Sequence, residues 1–263
     1  MKILFVYDHQ YPELWKDGLW AALNLLEKRE FEIEKYNLRD HPDGDHPQPS
    51  DYDFVLGWGG FNSPVERLIR EWKCKKGLCI GGNAFPPDSQ DSYDVLFYET
   101  NWYIPQIFNH KNIVHAFGVN ISAYFEERRP SFLWDYTTVG AFADWKRLGL
   151  MKNKVGHKLA IGEIQKDNMQ ESGRIISDLL TDNIMISDMV PVEQLCKIYN
   201  ASRRVYIPAD INGGGERAVL EARACGRPVE VEFDNPKLRE LQNSIIWSHY
   251  YYADQLQLGI LST

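Results

Sequence analysis

Two short stretches carry residues whose types and order suit chemistry on a phosphorylated ligand. In INGGGERAVLEARACGRPVEV, Ile211 to Val231, Gly213, Gly214 and Gly215 stand directly before a run with helical character that carries Glu216, Arg217 and Glu221. Glycine loses more freedom on folding than any other residue, so three in a row point to special backbone geometry or to close approach of a ligand. A helix starting there would aim free N–H groups and the positive end of its dipole at the turn, a setting for phosphate. A plain strand-to-helix turn has the same composition. In TVGAFADWKRLGL, Thr137 to Leu150, Gly140 closes an apolar run and Lys146 and Arg147 follow. Fixed cations there would balance the negative charge of a phosphate, with Arg147 or Arg217 supplementing Lys146. A solvated helix start reads the same way.

Other candidates sit where apolar runs end. His9 follows KILFVYD and is the better placed of two N-terminal histidines; His115, inside NIVHAFG, reads as a core histidine. Glu99 ends another run and is placed to orient a hydroxyl, while Trp15, Trp58 and Trp102 offer faces that stack on a sugar ring or a base, or serve as core and rim. Gly18 stands at a helix start, and Val190 lies in Asp188-Met189-Val190-Pro191, between a strand and a helix, as a candidate backbone contact for a ligand. The Asp43-Gly44-Asp45 and Asp51-Tyr52-Asp53 pairs precede a strand instead of following one, which favours metal-independent chemistry.

The elements that position these residues follow from the hydrophobic pattern. Over the first 120 residues, short apolar runs (2–8, 31–38, 53–60, 77–82, 94–100, 112–120) alternate with helical patterns at about 16–29 and 65–72. The alternation restarts after ISAYFEERRPSFLWDY: strands at 137–143, 157–164, 183–190, 203–209 and 228–233, with helices near 145–152, 169–180, 192–200, after the triple glycine, and 236–243. Strands alternating with helices of this length predict a doubly wound parallel sheet. The expectation is an α/β chain of two Rossmann-like domains facing a central cleft: 1–120, a linker at 121–135, a second domain at 136–245, and a C-terminal segment 246–263 whose helix (about 248–258) crosses back to the first domain. Ligands in such sheets bind beyond the carboxyl ends of the strands, where the glycines and the candidates above repeatedly fall.

Composition bounds the function. The chain has 263 residues, 44% hydrophobic and 25% charged, with a formal net charge of -8 that argues against a generic binder of nucleic-acid backbone. No apolar run reaches the roughly 18 residues of a membrane span, and the N-terminus reads as a first strand and not a signal peptide. The four cysteines form no Cys-x-x-Cys pair, which predicts a reducing, cytoplasmic compartment.

The order Leu220-Glu221-Ala222, Ala224, Gly226, Pro228-Val229 after a glycine-rich turn resembles the donor-binding domain of retaining GT-B glycosyltransferases, the large family 4 group; the resemblance runs from Gly118 to Leu241. It implies a nucleoside-diphosphate sugar donor, a UDP-sugar by preference, and transfer to a hydroxyl with retention and no cofactor. Glu221 falls on the family's second conserved Glu, which accepts from the donor ribose, and Lys146 on the Lys that clamps the diphosphate. The sequence departs at Gly213, where the family has its first Glu, at Ala141, where it has an Arg, and at Arg147, where it has a Gly. Glu216 is the substitute expected for the missing Glu, with Lys146, Glu216 and His9 as catalytic candidates. The acceptor stays open between a glycan, a small molecule and a hydroxylated DNA base flipped from its stack. The two missing family residues also fit a non-catalytic nucleotide-sugar binding module. A dinucleotide oxidoreductase is disfavoured, because no Gly-x-Gly-x-x-Gly turn follows the first strand.

Overall fold

The computed structural model describes residues 1–12, 17–42, 44–60, 62–82, 87–212 and 216–263. The chain divides into two compact units: unit 1 is Met1–Gly118 together with Ser248–Thr263, and unit 2 is Val119–Trp247.

Unit 1 holds a parallel sheet of strands β1 (Lys2–Tyr7), β2 (Glu32–Asn37), β3 (Phe54–Gly59), β4 (Lys76–Ile80), β5 (Val95–Tyr98) and β6 (Ile113–His115), in the order β2-β1-β3-β4-β5-β6. Its helices are α1 (Gly18–Lys28), α2 (Pro64–Arg70), α3 (Pro87–Gln90), α4 (Ile104–Ile107) and α9 (His249–Leu261). From Ile3 onward every residue of β1 is buried, as expected of a parallel strand covered on both faces. Leu4, Val6, Val55, Leu78 and Leu96 pack with Val65 and Ile69 of α2 into one core. Helix α2 starts where Ser63 Oγ accepts from the Glu66 N–H at 3.2 Å and Pro64 takes the first helical position, where its missing N–H costs nothing. Helix α9 belongs to unit 1. Arg29, just past α1, donates to Gln257 Oε1 at 2.9 Å and pairs with Asp254 at 2.7 Å. Gly259 sits so close to β5 that an added Cβ would lie 2.4 Å from the Phe97 ring.

Unit 2 holds a second parallel sheet of β7 (Trp134–Val139), β8 (Lys158–Gly162), β9 (Met185–Asp188), β10 (Ser202–Ile207) and β11 (Val229–Val231), in the order β11-β10-β7-β8-β9. Helices α5 (Met169–Leu180), α6 (Val192–Asn200) and α7 (Glu216–Ala224) connect the strands, and α8 (Pro236–Asn243) follows β11. Helix α5 is capped by Asn168, and its Ile175 and Leu179 pack on Phe142, Met151, Ala160 and Tyr206.

Three expectations change. Residues 145–152 do not form an α-helix; the chain makes two tight turns, Asp144–Lys146 and Leu148–Asn153, broken at Arg147 by a left-handed backbone (φ 48°, ψ 34°). Residues 121–135 do not stand apart as a linker. Tyr124 is buried in unit 2, and Asn200 clasps the segment by donating to Phe125 O (2.9 Å) and accepting from the Glu127 N–H (2.9 Å). The short helices α3 and α4 were not foreseen; α4 carries Pro at its start. Among the described residues, no helix is long and apolar enough to cross a membrane.

Candidate functional site

In unit 2 the strand order reverses direction between β7 and β10, the neighbouring pair from which the chain runs to opposite sides of the sheet. The crevice at such a switch point is where open parallel sheets take ligands. Both stretches singled out in the sequence lead from it: Gly140 follows β7, and Pro208 to Asn212 follow β10.

Lys146 is half-buried and its stem lies along Gly140. A Cβ built on Gly140 would meet Lys146 Cδ at 3.2 Å and Cε at 3.5 Å, so the missing side chain makes room for the lysine. Gly162, at the end of β8, is tighter still: a Cβ there would fall 2.5 Å from Gly140 O. Small residues thus bring the backbone of β7 and β8 together under the lysine.

Arg147 occupies the left-handed region, which costs a non-glycine residue about 1–2 kcal/mol. Its guanidinium makes four hydrogen bonds. Nη1 and Nη2 donate to the two oxygens of Asp234 at 2.7 and 2.8 Å, Nε donates to Pro208 O at 2.8 Å, and Nη2 also reaches Ala209 O at 3.3 Å. The bond to Asp234 holds the guanidinium above its usual range and the Asp234 carboxyl below its own. Next door, the wholly buried Asn235 donates to Ala209 O (2.9 Å) and Asp210 O (2.8 Å) while capping α8. The Asp210 N–H donates to Trp145 O at 2.9 Å. The Lys146 turn, the segment after β10 and the start of α8 are therefore tied together. The charge of Arg147 is paired with Asp234, and four of its five N–H donors are taken up by Asp234 and by carbonyls.

Helix α7 opens directly after the glycine-rich turn. Gly213, Gly214 and Gly215 lie outside the described residues, as does the side chain of Glu216. Arg217 is half-buried in the first turn of α7. Glu221, one turn further, is 8% exposed and accepts from the Tyr199 hydroxyl of α6 at 3.2 Å. Burial, followed by the Glu221 charge, drives the Tyr199 hydroxyl well above its ordinary range, so Tyr199 is a permanent donor to Glu221. Val190 is half-buried between β9 and α6, at the far edge of the same sheet.

In unit 1 the switch point lies between β1 and β3. His9 follows β1: Asn37 grips its backbone from both sides (3.0 and 3.1 Å), and its Nδ1 accepts from the Tyr11 N–H at 3.1 Å, which leaves the proton of a neutral ring on Nε2. Gly60 follows β3, where a Cβ would fall 2.7 Å from Gly81 O. The Glu99 carboxylate lies over Gly81, 3.6 Å from where a Cβ would be. Trp58 is half-buried at the end of β3, and Trp102 is half-buried with its ring edge-on to Tyr103 at 5.0 Å. Gly18 is the buried first residue of α1, which Asp17 caps by accepting from the Trp20 N–H at 2.9 Å. Trp15 lies outside the described residues. His115 sits within unit 1 between the Tyr251 hydroxyl (3.1 Å) and Glu99 O (3.2 Å), and burial lowers its pKa.

Asp234, Asn235 and Tyr199 escaped the sequence reading. Asn-Pro before α8 is a cap signature that points to Asn235; no local signal marks the partner of Asp234.

No protein-family model matches the chain, and no curated protein sequence matches it. Solved structures do. The sucrose-phosphate synthase of Thermosynechococcus elongatus superposes with a TM-score of 0.64 at 13% identity, covering 100% of this chain and 90% of that one. Anabaena HepE, solved in complex with UDP and glucose, gives 0.60 at 12% identity over 99% of this chain and 92% of its own. The UDP-GlcNAc 2-epimerase of Neisseria meningitidis, bound to UDP-GlcNAc, gives 0.58 at 14% over 98% and 91%. What these three share with the chain is its architecture of two parallel-sheet units: this protein has the GT-B fold, built from two Rossmann-like α/β domains.

Proposed function

We propose that the chain is a glycosyltransferase that moves a sugar from a UDP-sugar to an acceptor hydroxyl, with retention at the anomeric carbon and without a metal. The observation that carries the reading is the placement of Lys146 along Gly140 at the unit 2 switch point, tied to the segment that leads into the glycine-rich turn and α7. A lysine there meets the diphosphate as a point charge, and the amides opening α7 meet it as partial charges. Glu221, buried beside the Tyr199 hydroxyl, is the carboxylate assigned to a ribose hydroxyl of the donor. That donors in structures of this fold carry UDP, as in HepE and the 2-epimerase, supports UDP as the nucleotide.

In the proposed reaction the bond from the anomeric carbon to the diphosphate oxygen breaks as the acceptor oxygen bonds to that carbon. The acceptor proton passes to the departing phosphate oxygen, and the transition state has oxocarbenium character. Lys146 and the turn amides stabilise the leaving charge. Acceptor recognition is assigned to Trp58, Glu99 and Trp102 of unit 1, with His9 as a further candidate; a neutral glycan or small molecule suits this set better than a polyanion.

Titration with UDP, GDP, ADP and their sugars by calorimetry, repeated with Lys146→Ala, tests the donor site. Selective binding that the variant loses supports it; no binding by any of them removes it. A second reading, a nucleotide-sugar binding module without turnover, draws support from Ala141 and from the engagement of Arg147 by Asp234, which leave the diphosphate with fewer cations. Binding without donor hydrolysis or transfer across a broad acceptor panel would decide for it.

A further inference from the structure

We infer that Arg147 and Asp234 act as a positioning pair for the donor site, fastening the Lys146 turn to residues 208–212 so that both arms of the site hold one geometry; this rests on the donor-site reading proposed above. Neither residue is assigned a contact with the donor. The pair acts through what it holds.

Four observations carry this. The guanidinium joins three segments distant in sequence: its own turn, the carbonyls of Pro208 and Ala209, and Asp234. It does so from a left-handed backbone that a glycine would adopt without strain, so the side chain is kept there against a local cost. Segment 208–210 is held from two further directions, by the Asn235 amide and by Trp145 O, and all these bonds converge beside the residue that leads into the glycine-rich turn. The pair is also dispensable to the core. The Asp234 side chain is 62% exposed, and the apolar cluster of unit 2 is built from Phe142, Leu148, Met151, Ala160 and their neighbours without it. A contact that the core does not need, made at the mouth of the switch point, fixes local geometry more than global stability.

Arg147→Gly separates the two roles. It relieves the backbone and removes the guanidinium, whereas Asp234→Asn leaves the backbone at 147 untouched and removes the charge and one bidentate acceptor. Arg147→Lys restores a cation that reaches Asp234 without the planar fork that also serves the carbonyls. Three readouts on the full chain are needed: thermal unfolding, hydrogen exchange over residues 140–150 and 208–216, and calorimetry with UDP.

The expected result for both Arg147→Gly and Asp234→Asn is a melting temperature within about three degrees of wild type. Exchange in the two segments should rise several-fold, with β10 itself unchanged, and UDP affinity should fall about tenfold through lost preorganisation. Arg147→Lys should recover part of the affinity. Unchanged exchange in 208–212 would overturn the fastening. Raised exchange with UDP affinity within about twofold of wild type would overturn the positioning role. An effect of Arg147→Gly alone, without Asp234→Asn, would assign the change to glycine flexibility and overturn the pair. A wild-type chain that binds no UDP overturns the donor reading and takes the positioning role with it, while the exchange comparison still reports whether the fastening exists.

Discussion

Each unit of this molecule has one switch point in a parallel sheet, reached through a different strand order, and the residues at the two differ in chemistry. In unit 2 the crevice between β7 and β10 presents Lys146 on a glycine floor, with neighbouring carbonyls consumed by Arg147 and Asn235. In unit 1 the strand ends at β1 and β3 carry His9, whose Nδ1 is already satisfied, and Trp58, while Glu99, over Gly81, and Trp102 follow β5 further along the same sheet. Arg39, which reaches that end, is paired with Asp8. The parallel sheet supplies the place, and the loop residues decide what the place can hold. On the reading proposed above, one end would take a phosphate and the other neutral, hydroxyl-bearing or aromatic surfaces.

The strongest way to break this contrast is to remove one charge from each end. Lys146→Ala should weaken UDP binding by about 1.5–3 kcal/mol, the usual worth of a hydrogen bond to a charged group, while Glu99→Gln leaves it unchanged. Calorimetry on both variants checks this, and an equal loss in the two would erase the division of labour. Next in size is Gly60→Ala, whose Cβ would meet a backbone carbonyl at 2.7 Å; overpacking of that kind costs about 1–3 kcal/mol of stability and should appear in denaturant unfolding. Gly140→Ala provides the contrasting outcome. Its Cβ meets only the flexible stem of Lys146, so stability should move by less than about 0.5 kcal/mol while UDP affinity drops several-fold.

The smallest effect belongs to His115. Its pKa is lowered by burial, so the unfolded chain binds the proton more readily than the folded one. The associated stability is complete above the ordinary histidine range, about 6.5, and declines as pH falls toward and through the folded value. Melting temperatures at pH 7.5 and 5.5 should show this decline for wild type and a shallower one for His115→Gln.

Much of the fold was legible because sequence and packing agree locally. The sequence reading found helices 169–180, 192–200 and 236–243 with the bounds seen in α5, α6 and α8; apolar spacing marks all three, and Asn168 and Asn235 cap α5 and α8. The failure at 145–152 is equally physical. Residues from Trp145 to Lys152 contain good helix formers, yet Arg147 is held left-handed by partners at 208, 209 and 234, which no local propensity contains. Segment 121–135 read as a linker because its Pro and charges resemble loop composition; what fixes it is Asn200, more than seventy positions away in the chain. Motif order singles out Lys146 and Glu221 as candidates. It does not single out Asp234, because a pair spaced 87 residues apart leaves no periodic trace.

The division of the chain also bears on its birth. Unit 2 is an insertion within unit 1, and its first and last residues meet where the Val119 N–H donates to Trp247 O at 2.9 Å. On the ribosome the first 118 residues therefore emerge without α9, leaving β5 bare where Gly259 will later nest against Phe97. Unit 2 has all its own sequence as soon as Trp247 appears and can close first, whereas unit 1 must wait for the last helix to be translated. During that interval the apolar strand face that α9 covers would be open to chaperones and to misassociation.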